Sequence, residues 1–203
     1  ITVAEEAGLL PEFDMAMATK VVALLANIPD RYQAAINISG FSVSDEKYVA
    51  GLKALLEKNK WAPDRVLFEI TESARMVDLE AANEFIKILR KDGYEVCLDD
   101  FGAGSCSLVA LQQLPLDVIK IDHRFIRDIP YNVSATDVAS AVIALARKLH
   151  LTVVAEGVET PQQLSFLKSH GCAQCQGNLF SYPLDEDALI GFLVRQYERP
   201  LIS

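Results

Sequence analysis

The run Glu95-Val-Cys-Leu-Asp-Asp-Phe-Gly102 decides how this chain folds. Glu95–Leu98 is a short strand, and it delivers two adjacent carboxylates, Asp99 and Asp100, at its C-terminal end. The same arrangement repeats on both sides. Upstream, Val66–Thr71 reads as a strand carrying Glu69 with Glu72 just beyond it, and Ala34–Ile38 as a strand carrying Asn37. Downstream, Val118–Ile121 brings Lys120 and Asp122, and Thr152–Ala155 is followed by Glu156 and Glu159. A last short strand near Cys172–Cys175 is followed by Gln176.

Helical periodicity fills the gaps between these strands. It predicts helices over Pro11–Ala26, Asp45–Lys58, Leu79–Lys91, near Ser107–Leu114, near Thr136–Leu149, from Pro161 to about Ser169 and from Asp185 to about Gln196. Asp78 is placed to cap the third of these and Gly93 to end it. Strict strand–helix alternation implies a parallel sheet with helices packed on it. Two closures satisfy that pattern: an open doubly wound sheet, or an eight-stranded barrel of which about two units are missing. The polar groups favour the barrel. In a barrel all strand ends meet at one mouth, whereas in an open sheet they spread along a line.

A single acid at a strand end ordinarily is solvated or caps the next helix, and Glu72, Asp122 and Glu159 each read that way in isolation. The set as a whole does not. Two carboxylates about 5 Å apart repel by roughly 3 kcal/mol at an effective dielectric near 20. Glu69 and Glu156 converging on Asp99 and Asp100 would make the site hard to keep ionised without a cation. All-oxygen donors select Mg²⁺, Mn²⁺ or Ca²⁺ over zinc. Lys120 among these acids can neutralise them or orient a water or a phosphate oxygen. Two metals and a lysine suit phosphodiester hydrolysis.

The whole-chain properties agree. The 203 residues are 51% apolar and 23% charged, which is globular and long enough for one substantial core. Nineteen Lys and Arg against twenty-eight Asp and Glu give a net charge of −9, the wrong sign for gripping duplex nucleic acid. No apolar run is long enough to cross a membrane, so no membrane contact is expected of this domain. Four cysteines, Cys97, Cys106, Cys172 and Cys175, do not look like a secreted disulfide framework, and a reducing, cytoplasmic setting is expected. Cys172-x-x-Cys175 lacks the second pair of a zinc site and reads as buried thiols. No GxSxG follows a strand, and Gly102-x-Gly104 lacks the third glycine of a dinucleotide fingerprint.

The stretches Phe68-Glu-Ile-Thr-Glu-Ser73, Leu98-Asp-Asp-Phe-Gly-Ala-Gly104, Ile119-Lys-Ile-Asp122, Val153-Val-Ala-Glu-Gly-Val-Glu-Thr160 and Gln176-Gly-Asn-Leu-Phe-Ser181 resemble the EAL domain of bacterial signalling proteins. Ile36-Asn-Ile-Ser39 and Ala4-Glu-Glu-Ala-Gly-Leu9 are similar to that family too. The resemblance implies a TIM-like (β/α) barrel and hydrolysis of cyclic di-GMP to linear pGpG with two Mg²⁺ or Mn²⁺ ions. It implies that Asn37, Glu69 and Asp99 ligate one ion, with Asp99 bridging to a second held by Asp100 and Glu156. Lys120 would orient the attacking water and Glu156 serve as general base. Glu72 would brace the loop after Asp100, and Asp122, Glu159 and Gln176 would complete the wall.

The family's eponymous Glu-Ala-Leu strand, which supplies a further metal ligand and a nearby substrate-binding Arg, does not occur here. The chain opens at Ile1, so the expectation is a single EAL-type domain over 1–203, incomplete at its N-terminus, within a longer protein. An upstream sensory or GGDEF domain, a homodimer, and a cytoplasmic location or a tether to the inner membrane through upstream segments are expected by analogy. The loop after Asp100 reads Gly104-Ser-Cys-Ser-Leu108 where the family usually has Gly-Tyr-Ser-Ser-Leu, and His123 and Tyr182 also depart from it. The alternative function is that of an inactive EAL domain acting as a cyclic di-GMP receptor.

Overall fold

A computed structural model of the chain describes residues 2–59, 63–71, 79–102 and 108–198. After α1 (Thr2–Glu6) and α2 (Leu10–Leu25), six strands alternate with helices: β1 (Ala34–Ile38), β2 (Val66–Thr71), β3 (Glu95–Phe101), β4 (Val118–Ile121), β5 (Thr152–Ala155) and β6 (Gln174–Cys175). Between them lie α3 (Gly40–Val43), α4 (Glu46–Asn59), α5 (Leu79–Lys91), α6 (Leu108–Gln113), α7 (His123–Ile126), α8 (Val133–Lys148) and α9 (Pro161–Ser169), and α10 (Glu186–Glu198) follows.

The strands lie in one parallel sheet in chain order, β1-β2-β3-β4-β5-β6. That order bears out the barrel that the polar strand ends favour. A doubly wound sheet requires the order to reverse at a switch point, and no reversal occurs. Each crossover steps the same way, and right-handed crossovers in a constant direction put every helix on the same face. The winding is that of a TIM-like barrel. The six strands are not closed into a ring: among the described residues β1 and β6 each have one neighbour.

Period-2 alternation divides each strand between two surfaces. Ile36, Ile38, Val66, Phe68, Ile70, Val96, Leu98, Ile119, Ile121, Val153 and Ala155 face the helices and belong to the main core. The opposite face holds a small apolar cluster, Leu67, Cys97, Val118 and Val154. Just above it on the same face stand Asn37, Glu69, Asp99 and Lys120. The floor is therefore apolar and the mouth polar.

Helix ends follow local side-chain chemistry. Asn132 accepts from the Ala135 N–H (3.1 Å) and starts α8 at Val133, three residues before periodicity alone placed it. Thr160 and Gln163 form a capping box over α9, with Pro161 in its first turn. The short helices α1, α3 and α7 carry too few residues for a periodic signal and were not expected. The cap proposed for Asp78 lies outside the described residues. Cys97 and Cys172 are buried free thiols and Cys175 a partly buried one.

Candidate active site

Lys120 sits at the centre. It lies on β4, is 5% exposed, and its Nζ reaches Glu156 Oε1 at 2.6 Å, Glu69 Oε2 at 3.2 Å and Asp99 Oδ1 at 3.3 Å. Four strands supply these four groups. Glu69 is in β2, paired in register with Asn37 of β1 and Cys97 of β3. Glu156 lies just past β5, but its N–H still donates to Ile121 O (3.1 Å), so the ladder with β4 extends to hold it. Gly157 follows with a φ of +70°, and a Cβ there would strike the His123 side chain. The residue after Glu156 must therefore be glycine for the chain to turn away over α7.

The expected end of the third strand at Leu98 is corrected: β3 continues to Phe101, and Asp99 and Asp100 lie within it. Adjacent residues of a regular strand point to opposite faces. Here the register with β4 slips between Leu98 and Phe101, and Asp100 takes a left-handed φ of +56°. This bulge returns Phe101 to the helix-facing core and leaves both aspartates on the mouth side. Oxygens of Asp99, Asp100 and Glu156 then lie within 4.8 Å of one another. A left-handed aspartate is strained by about 1 kcal/mol or more, and such strain concentrates at functional sites. The Asp100 N–H donates to Asp99 Oδ1 (2.9 Å), which fixes the pair.

Asn37 is exposed on the open side of the mouth, where it shares a cavity of about 670 Å³ with Thr71, Asp99 and Asp100. Asp122 is buried and caps α7, its Oδ1 accepting from the Arg124 N–H and Nε, each at 2.8 Å. Glu159 is exposed and its N–H donates to Gln163 Oε1 (2.8 Å). Gln176 is exposed beyond β6, its main chain still paired with Ala155 and Val158. So Glu69, Asp99, Asp100, Lys120 and Glu156 come together and Asn37 shares a cavity with Asp99 and Asp100, whereas buried Asp122 and exposed Glu159 and Gln176 follow the ends of β4, β5 and β6. Glu72 and most of the Gly104–Leu108 loop lie outside the described residues.

The sequence profile of the EAL domain matches residues 1–183. The chain belongs to the EAL domain family. Cyclic di-GMP phosphodiesterase NbdA of Pseudomonas aeruginosa is 38% identical to it over 197 residues, covering 95% of this chain and 25% of NbdA. The structure of the PaMucR phosphodiesterase in complex with c-di-GMP superposes with a TM-score of 0.81 at 31% identity, covering 93% of this chain and 78% of that one. The manganese and cyclic di-GMP complex of Klebsiella pneumoniae BlrP1 gives 0.78 at 34% identity over 85% of this chain and 45% of that one. This EAL chain spans about a quarter of the length of the curated relatives it matches.

Electrostatics of the EAL mouth follow from one ammonium among four carboxylates. Burial raises the pKa of Glu69 and Glu156, and Lys120 only partly restores the charged form. Asp100 is also raised, by burial and then by the Asp99 and Asp122 charges. Burial would lower Lys120, but its hydrogen bond to Glu156 and the charges of Glu69 and Asp99 outweigh that and hold it above its ordinary value. Asp122 is lowered: burial opposes ionisation, and the bonds from Arg124 override it. The unbalanced anions and the all-oxygen donor set of Asp99, Asp100 and Glu156 fit a hard divalent cation.

Three supporting residues escaped the sequence reading. Arg124 was passed over beside Asp122. Gln163 is 4% exposed and uses its whole amide, accepting from Glu159 and Thr160 N–H and donating to Ile126 and Arg127 O. The third is Asp14, buried in the core-facing stripe of α2 beside Leu10, Ala18, Val22 and Leu25. A carboxylate interrupting an apolar stripe was the signal that could have found it.

Proposed function

We propose that this domain hydrolyses cyclic di-GMP to linear pGpG, with Asn37, Glu69, Asp99, Asp100 and Glu156 holding two Mg²⁺ or Mn²⁺ ions. The observation that carries the reading is the convergence of Glu69, Asp99 and Glu156 on Lys120, with the bulge turning Asp100 into the same space. Names of relatives supply the substrate: NbdA and MucR are called phosphodiesterases of cyclic di-GMP. Bound divalent ions would lower the pKa of a water and neutralise charge on the phosphate, which also lets a domain of net charge −9 accept an anionic substrate.

The chain's own residues do the rest. Lys120 holds three carboxylates in one orientation, and with those oxygens engaged by bound ions its ammonium would orient the attacking water. Glu156, whose pKa burial raises, is suited to take that water's proton. In this reading Asp122, Glu159 and Gln176 complete the wall of the site, and Glu72 braces the loop after Asp100. The domain acts as one unit of a longer signalling protein, with an upstream sensory or GGDEF domain, as a homodimer, and in the cytoplasm or tethered to the inner membrane.

The test is incubation of the full-length protein with cyclic di-GMP and Mn²⁺, with chromatographic detection of pGpG. Turnover is expected, and Glu156→Ala should abolish it. Binding of the dinucleotide without turnover, insensitive to chelator, would instead make the domain a receptor.

A further inference from the structure

Asp14 is a buried carboxylate with a task in this site, and the inference rests on the metal-site reading above. It is 6% exposed and lies on α2 at a position where the flanking residues of the same stripe are apolar. An ionised side chain there is costly unless hydrogen-bonded. Among the described residues it has no ion-pair partner, and two neutral donors satisfy one of its oxygens. Oδ2 accepts from the Ser39 N–H at 2.8 Å and from Ser42 Oγ at 2.6 Å. Ser42 is fully buried, and Ser39 Oγ accepts from the Ser42 N–H (3.3 Å). One carboxylate oxygen thus ties α2 to the turn that ends β1.

That turn begins two residues after Asn37. Among the described strands β1 is paired on one flank only, with β2 from Ala34 to Ile38. Its C-terminal end, where the ladder stops, is held from the side by Asp14. The same carboxylate borders the cavity that contains Asn37, Asp99 and Asp100. We infer that Asp14 is a positioning residue: by anchoring Ser39 and Ser42 it sets the height and direction of Asn37, so that the Asn37 side-chain oxygen is presented to a cation shared with Asp99. Apolar packing of α2 alone would have been served by leucine. The carboxylate is explained by what it holds.

The experiment measures Mn²⁺ binding to the full-length protein by electron paramagnetic resonance of the free ion, with circular dichroism confirming the fold. The variants are Asp14→Ala, Asp14→Asn, Asn37→Ala and the double variant Asp14→Ala with Asn37→Ala. Outer partners of metal ligands are typically worth about ten- to a hundredfold in affinity. Asp14→Ala should weaken Mn²⁺ about tenfold, and the double variant should be no weaker than Asn37→Ala alone, since both act through one ligand. Asp14→Asn keeps an oxygen for both donors and should stay within about threefold of the parent. It also carries the test if the alanine variant fails to fold: a tenfold loss in Asp14→Asn, or a folded Asp14→Ala that binds as the parent does, or additive losses in the double variant, would overturn the positioning role. Failure of the metal reading looks different: Asn37→Ala would then bind Mn²⁺ as well as the parent, or the parent would not bind at all, and the inference would fall with it.

Discussion

Replacing Lys120 by methionine removes the only ammonium from the described mouth while keeping the volume of the side chain. Three carboxylate oxygens then face each other across the space its Nζ occupied, at 2.6, 3.2 and 3.3 Å from that point. Breaking a buried ionic set by deleting one partner typically costs about 3–5 kcal/mol. Protonation limits the loss, because one proton taken up by Glu69 or Glu156 replaces the missing positive charge. From an ordinary glutamate value of 4.5, forcing that proton on at pH 7.5 costs about 4 kcal/mol, and at pH 5 under about 1 kcal/mol. Lys120→Met should therefore destabilise the metal-free protein by about 3–4 kcal/mol at pH 7.5 and by only about 1 kcal/mol at pH 5. Urea unfolding of chelator-treated protein at the two pH values measures both. Equal losses at pH 5 and 7.5, or a loss under about 1 kcal/mol at pH 7.5, would show that the lysine does not hold these acids together.

Two further outcomes are expected. Glu69, Asp100 and Glu156 bind protons more tightly folded than unfolded, since their folded values are raised. Their contribution to stability is present at low pH and is lost as pH rises from the ordinary carboxylate value through the raised ones, whereas Asp122, lowered, loses its contribution only as pH falls through its depressed value. Because a divalent ion needs the ionised carboxylates, millimolar Mn²⁺ should raise the melting temperature more at pH 8 than at pH 5; a pH-independent shift in thermal melts would contradict this. Gln163→Glu places a carboxylate oxygen where an NH₂ now donates to the Ile126 and Arg127 carbonyls, each at 3.1 Å. A loss of about 2–3 kcal/mol in chemical denaturation is expected, against under about 0.5 kcal/mol for an exposed glutamine such as Gln112.

Much of this architecture was legible because short parallel strands declare themselves by composition. The bounds Ala34–Ile38, Val66–Thr71, Val118–Ile121 and Thr152–Ala155 agree with the structure to the residue, each a short, mainly apolar run of strand length. Strand order was not legible. Alternation of elements is common to wound sheets and barrels; the polar strand ends favour the barrel, and the sequential pairing from β1 to β6 bears that out. The strand that failed, β3, shows why a site can hide from its own sequence. Asp99 and Asp100 look like residues that end a strand, because two adjacent acids cannot both face a mouth in regular pleating. The chain resolves this with a left-handed Asp100, a conformation aspartate tolerates better than most residues, and a register slip against β4 that is set by the pairing rather than by the run itself. Asp14 escaped for the converse reason. Its helix is obvious, and periodicity assigns the stripe Leu10, Asp14, Ala18, Val22 and Leu25 to the core without asking why one member is charged. In both cases the residue that breaks the local rule is the one that shapes the mouth: Asp100 gives up backbone ease so that a second carboxylate joins Asp99, and Asp14 gives up apolar packing to steady the strand that carries Asn37.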